Sequence, residues 1–399
     1  MKFEKSVLYI GGFELPDKNA AAQRVIANGK LLYKLSFNVF YLGLDRKKKT
    51  NNFFEDSLKF EDFLYWSKKY PQTFSEWANY LLRIKDIKTI ISKNLEKKPD
   101  IIIAYNYPAF ALLRLKFYCK VNNIKLIADC TEWYQSTGSI GFRIIKSLDT
   151  VLRMRWLHNR IDGVIAISRF LFEYYKSKNQ IVTLLPPLVD KENPKWKSND
   201  YKQNKIRQII YAGSPGDGNK DKIDLIINAL SEVKKRITEK FHLTIIGISK
   251  EIYDNNFGLN TIPNIINDNI TFKGRLSHVE TINAIKKADY FIFLREDNLV
   301  TRAGFPTKFV EAISCGTPVL TNGSSNIKDY LNEGENGYLL NLDNYKKLAK
   351  TLEYAISQSY ENILSMKNSC KNANLFDYNN YTSDFSSFLN TVLVNNIEL

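Results

Sequence analysis

The strongest constraint in this chain is a repeated grammar: short apolar runs alternate with segments of helical periodicity, and the whole pattern occurs twice. Residues 7–10, 37–42, 101–104, 125–128 and 163–167 are runs of this kind. Apolar residues without alternation fit strands buried on both faces, which is the environment of a parallel sheet. Parallel neighbours need crossover connections, and the helical segments between the runs supply them, so the pattern predicts an open α/β sheet. A proline-bearing, charged stretch without periodicity, residues 186–204, interrupts the pattern and reads as a linker. Strand runs then resume at 208–212, 243–246, 270–272, 290–294 and 318–321. The reading is two Rossmann-like domains, residues 1–190 and 205–380, joined by 191–204. A final aromatic helix within 381–399 is expected to cross back onto the first domain. No repeat of solenoid length is present.

A chain of 399 residues with 44% apolar composition has enough apolar surface for two cores. Lys and Arg number 57 against 42 Asp and Glu, leaving +15, a field that attracts nucleotides, nucleic acid or lipid headgroups without choosing among them. The four cysteines, Cys119, Cys130, Cys315 and Cys370, lie far apart without metal-site spacing, which fits reduced, packed thiols rather than a disulfide framework. No apolar run of about 20 residues occurs, so the expectation is a soluble or peripheral cytoplasmic protein. The basic residues form no nucleic-acid-binding module, and no nucleic-acid partner is expected.

Residues 302–321, RAGFPTKFVEAISCGTPVLT, hold the sharpest candidate site. Pro306 suits the first helical position, and Gly316 with Pro318 ends the helix before a strand. Thr307, Lys308 and Glu311 are expected on one polar face, with Phe309, Ala312 and Ile313 toward the core. A polar helix start beside a strand edge suits an anion, and an ordinary solvated face is the competing reading. Residues 211–230 read as strand, glycine-rich turn and helix. Gly213 and Ser214 permit close backbone approach to a pyrophosphate, and Lys220 offers a point charge. The competing reading is a flexible loop with incidental lysines. Asn219 and Asp221 break the P-loop pattern, so an ATPase is rejected. Ile10-Gly11-Gly12-Phe13 leaves the first strand without GxGxxG, which argues against a dinucleotide enzyme. Asp129 and Glu132 follow another strand, with hydroxyl binding in a cleft and helix capping both open for Asp129.

Taken in order, these segments resemble the glycosyltransferase family 4 enzymes over nearly the whole chain. The run Glu311-Ala-Ile-Ser-Cys-Gly-Thr-Pro-Val319 is similar to that family's donor-site helix end. The resemblance implies a GT-B fold, two Rossmann-like domains facing across a cleft, and a retaining transfer of a sugar from a nucleotide-diphosphate donor. It implies that Glu311 binds the ribose, that the backbone N–H groups of Thr307 and Lys308 take phosphate, and that Lys220 stabilises the leaving diphosphate. Gly12, Gly213 and Ser214 would bring backbone to the donor, and the loop at Arg275 and Leu276 would hold the base. Two departures stand out. Ala303 occupies the position where the family often has a second glutamate, leaving Glu296, Asp297 or Arg302 to hold the sugar. The stretch after residue 128 lacks the family's frequent histidine, so Lys220, Asp129 and Glu132 become the catalytic candidates.

The implied enzyme is a hexosyltransferase acting on a glycan or lipid-linked hydroxyl, in cell-surface polysaccharide synthesis, without cofactor or obligatory metal. A non-catalytic nucleotide-sugar-binding subunit and a sugar-nucleotide epimerase are the alternatives. Residues 141–160 pattern as a helix with the stripe Phe142, Ile145, Leu148, Leu152 and Trp156 interspersed with arginines and Lys146. Such a stripe packs inward or lies on an anionic membrane, which makes the inner face of the cell membrane a candidate location.

Overall fold

The structure is a computed structural model that describes residues 3–16, 18–50, 57–133, 140–178, 180–197, 203–213, 220–259 and 261–395. The chain forms two compact units: residues 1–189 with 303–305 and 377–399, and residues 190–302 with 306–376.

The first unit is built on an eight-stranded sheet. Its strands are β1 (Lys5–Gly11), β2 (Phe37–Asp45), β3 (Leu58–Phe60), β4 (Phe63–Lys69), β5 (Ile101–Tyr105), β6 (Lys125–Cys130), β7 (Gly163–Ala166) and β8 (Val182–Leu184). Their order is β3-β4-β2-β1-β5-β6-β7-β8, and every pairing is parallel except β3 with β4. Because successive side chains alternate between faces, each central strand feeds two cores. Val7, Tyr9, Ile101, Ile103 and Ile127 face one core with the helix Ala20–Lys34. Leu8, Ile10, Ile102, Leu126 and Ala128 face the other with the helices Lys85–Lys93 and Ala109–Val121. The helix Thr382–Val394 closes the first of these cores with Phe385, Phe388, Leu389 and Val392. It comes so close to β7 that a Cβ on Gly163 would lie 2.8 Å from Val392.

The second unit has a six-stranded, all-parallel sheet: β9 (Arg207–Ala212), β10 (Phe241–Ile246), β11 (Ile270–Phe272), β12 (Tyr290–Phe293), β13 (Val319–Thr321) and β14 (Gly337–Leu339). The order β11-β10-β9-β12-β13-β14 reverses direction between β9 and β12. In open α/β sheets, the loops at the carboxyl ends of the strands flanking such a reversal form the usual ligand crevice. Trp196, within the stretch read as a linker, is buried in a short 3-10 turn, Pro194–Trp196, of this unit.

The helix Thr307–Ser314 starts one residue later than expected, with Pro306 at the N-cap. It ends as the glycine suggested. Gly316 has φ +74°, its N–H donates to Ile313 O at 3.0 Å, and the Thr317 N–H donates to Ala312 O at 2.9 Å. That paired closure is a Schellman motif, and it delivers the chain directly into β13.

Candidate functional site

Glu311 lies on the helix Thr307–Ser314, where it and Thr307 are half-buried while Phe309, Ala312 and Ile313 are buried in the core. Its Oε1 accepts from His278 Nε2 at 3.3 Å. His278 opens the helix His278–Lys287, whose start is fixed by a reciprocal cap. The Glu280 N–H donates to Ser277 Oγ at 3.3 Å, and the Ser277 N–H donates to Glu280 Oε2 at 2.9 Å. The ring of Trp196 meets His278 edge-on at 6.4 Å. Arg275, exposed, and Leu276 lie in the loop leading into this helix, so three expected donor-site residues converge on one corner. His278 was missed from sequence. Its position at the start of a helix two residues after Leu276 was the available signal, but its partner is 33 residues away.

The expected common polar face of the helix is corrected at Lys308. Its side chain turns inward, almost fully buried, and its ammonium contacts Asp221 Oδ2. Asp221, only 1% exposed, also accepts from Tyr211 OH at 2.8 Å and from Arg295 Nε at 3.0 Å. A buried carboxylate pulls the one cation of the helix away from solvent because each charge alone would carry a large desolvation cost. Burial opposes ionisation of Asp221, but Lys308 and Arg295 outweigh it and hold its carboxyl down at about 2. Burial lowers Lys308 despite its carboxylate partner. Two cations thus share one carboxylate beside the reversal between β9 and β12, leaving an excess positive charge.

Gly213, which follows β9, belongs to the same cluster: a Cβ there would lie 2.5 Å from Lys308 Nζ, and its φ is +148°. Only a glycine lets the backbone pass so close to the ammonium. Lys220 is exposed one residue before Asp221, while Lys222 pairs with Glu296. Ser214 lies outside the described residues. Of the suggested replacements for a second glutamate, Glu296 is held by Lys222, and Asp297 is paired with Arg302 at 2.6 Å. Ala303 is fully buried.

The remaining candidates belong to the first unit. Gly12 is exposed after β1, and Gly11 before it has φ +153°, where a Cβ would stand 2.7 Å from Tyr105 O. Glu132 is exposed just beyond β6. Among the described residues Asp129 caps no helix, and it does not face solvent. It is fully buried, accepting from Arg24 Nη2 at 2.7 Å, from Arg24 Nε and from Tyr9 OH. Arg24 is 3% exposed, and its Nη1 also donates to Leu185 O at 3.0 Å and Pro186 O at 3.2 Å. The pair ties the helix Ala20–Lys34, β6 and the segment after β8 together. Burial and the Asp129 charge push Tyr9 far above the usual phenol range.

His158 is likewise structural, buried with Nδ1 at 2.8 Å from Tyr175 OH, and burial beside Arg153 pushes it well below the usual imidazole value. Among the described residues no group of three or more His, Cys, Asp or Glu is arranged to hold a metal. No helix among them is long and apolar enough to cross a membrane.

Residues 190–374, essentially the second unit, match the family model described as glycosyl transferases group 1. No curated protein matches the chain. Solved structures do. A sucrose-phosphate synthase from Thermosynechococcus elongatus is 12% identical with a TM-score of 0.68, covering 98% of this chain and 99% of its own. A glycosyltransferase from Rickettsia africae is 15% identical with a TM-score of 0.68, covering 99% and 100%. The Anabaena protein HepE, solved in complex with UDP, is 12% identical with a TM-score of 0.63, covering 97% and 100%. The chain therefore has the GT-B fold of these structures, and its second unit is similar to the group 1 glycosyl transferases.

Proposed function

We propose that the protein is a retaining glycosyltransferase that binds a nucleotide-diphosphate sugar on its second unit. The sugar goes to a hydroxyl of a glycan or lipid-linked acceptor, in the building of a cell-surface polysaccharide. The observation that carries the reading is the pairing of Glu311 with His278, on the helix whose start adjoins the cationic cluster of Lys308 and Arg295. The carboxylate keeps oxygen capacity for two ribose hydroxyls while His278 fixes its orientation. The Thr307 and Lys308 N–H groups, free of intrahelical acceptors at a helix start, face the diphosphate. Gly213 and Ser214 admit its close approach, and the loop of Arg275 and Leu276 holds the base. Lys220 meets the leaving diphosphate, so that fixed positive charge stabilises the bond-breaking step. Retention follows if the departing phosphate assists deprotonation of an acceptor hydroxyl approaching from its own face. Glu132, exposed beyond β6, is the carboxylate left to orient that hydroxyl.

UDP, the ligand bound by HepE, is the first probe. Glu311→Ala should weaken its binding about 10- to 100-fold, equivalent to about 1.5–3 kcal/mol for hydrogen bonds to a charged group. Calorimetric titration measures it, and unchanged affinity for every nucleoside diphosphate would remove Glu311 from the site. Because Lys308, Arg295 and Lys220 provide the charge, turnover should persist in EDTA. Abolition by EDTA, with restoration by a divalent ion, would replace this account with a metal-assisted one. Ala303 and the locked Asp129 favour one second reading, a donor-binding subunit without turnover. It predicts UDP binding with neither transfer nor donor hydrolysis.

A further inference from the structure

The first unit leaves an apolar face uncovered. The helix Ala109–Val121 packs Ala111, Leu112, Leu115 and Cys119 into the core, yet the opposite stripe, Phe110, Phe117 and Val121, is exposed, Phe117 by 60%. The helix Ile140–Val151 does the same with Ile144, Ile145 and Leu148, Leu148 by 63%, and Trp156 follows in the π-helical turn Leu152–Leu157. The stripe predicted from sequence is thus turned outward at Ile145, Leu148 and Trp156. The two helices pack together, and the Ala109 N–H donates to Asp149 Oδ1 at 2.7 Å. On the other side, Arg114 Nη1 donates to Leu82 O at 2.6 Å, adding the exposed Leu82 to the same surface. Single exposed apolar residues need no explanation, but this many on two helices that pack together mark a binding surface.

The charge carried by these helices and the turns after them is almost all of one sign. Arg114, Lys116, Lys120, Arg143, Arg155 and Arg160 lie on these two helices and the turns that follow, and the one carboxylate of the two helices, Asp149, is engaged by the Ala109 amide. Arg160 lies over the Trp156 ring at 4.6 Å, as a cation does at a wet–apolar boundary. At the edge of the patch a depression of about 370 Å³ is lined by Lys116, Lys120, Lys125 and Arg160, with Asp162 as its acid. Burial, reinforced by Arg160 and Lys120, pushes Lys116 below the usual lysine value. Apolar side chains rimmed by cations, with a cationic hollow beside them, complement a bilayer carrying anionic headgroups. A protein partner would be matched by apolar area alone and would not call for so uniform a sign.

We propose that this face of the first unit docks on an anionic membrane surface, its apolar side chains entering the acyl boundary and its arginines and lysines pairing with lipid phosphates. Co-sedimentation of the full chain tests it, using vesicles of phosphatidylcholine alone or mixed with phosphatidylglycerol. Partitioning onto the mixed vesicles should exceed that onto neutral ones by about tenfold or more, and should fall as salt is added. Phe117→Ser with Leu148→Ser, both at exposed positions, should lower it about tenfold, leaving the melting curve and UDP affinity unchanged. Arg114→Glu with Arg155→Glu should remove the preference for the anionic vesicles. Equal partitioning onto both vesicles, no partitioning, or indistinguishable variants would overturn the proposal. So would a wild-type dimer that the Phe117→Ser, Leu148→Ser chain loses, since a second copy would then cover the face. UDP titration of the same proteins separates this from the donor site: vesicle binding without UDP binding sinks the function reading and leaves this one standing.

Discussion

An Asp221→Ala protein should be about 3–5 kcal/mol less stable than the parent, the range found when one member of a buried ion pair is removed. Lys308 and Arg295 would remain in a largely water-free setting with no carboxylate between them, and Tyr211 would lose its acceptor. Urea denaturation at neutral pH measures the loss. The pH dependence gives a second, signed check. Asp221 ionises at about 2 in the folded chain against an ordinary value of 3.8, so its folded-state pKa is depressed. Its stabilisation is therefore complete above about pH 5 and disappears as pH falls through 4 toward 2, an effect of about 2 kcal/mol. The gap between parent and variant should narrow over that window. A gap that stays constant from pH 6 to about pH 3 would mean that Asp221 is not held ionised by its neighbours.

Asp129→Ala should cost a similar amount, about 3–5 kcal/mol, because Arg24 is left buried with only the Leu185 and Pro186 carbonyls. Its value lies in separating a structural role from a chemical one. Arg24→Met combined with Asp129→Leu removes both charges and should recover much of the loss, as buried pairs replaced by apolar residues often do. The transfer rate per folded molecule should be nearly unchanged in that double variant. A fully folded Asp129→Asn protein with turnover reduced a thousandfold or so would return Asp129 to the chemistry, at the scale of a lost general acid or base.

What the sequence made legible follows from how many residues each signal occupies. The central strands carry long enough apolar runs to be seen, and each of the ten runs coincides with a strand. The strands that escaped notice are at or near sheet edges: β3, β8 and β14 are edge strands, and β4 lies next to β3. β4, Phe63–Lys69, does open on an apolar run, Phe63–Trp66, which stops at Ser67 and half-exposed lysines.

At the candidate site the limit is different. Glu311 was visible through its motif, but the direction of Lys308 was not. At 100° per residue it sits between the polar line of Thr307 and Glu311 and the apolar line of Phe309 and Ala312, so local pattern leaves it undecided. What decides it is Asp221, 87 residues earlier in the chain. The pairing of Arg24 with Asp129 is hidden for the same reason, the two being 105 residues apart. Long-range charge pairs leave no periodic trace.

The way the helix Thr382–Val394 completes the first core sets an order of events during synthesis. Phe385, Phe388, Leu389 and Val392 are laid against strands made more than two hundred residues earlier. Domains emerging from the ribosome ordinarily fold in chain order. Here the unit that begins first must finish last, because its core stays open until residue 392 has left the tunnel. By then the whole of residues 190–376 has already been made. The nascent amino-terminal sheet therefore spends most of translation with one face unsealed, and it is the stage at which holdase chaperones have the most apolar surface to bind.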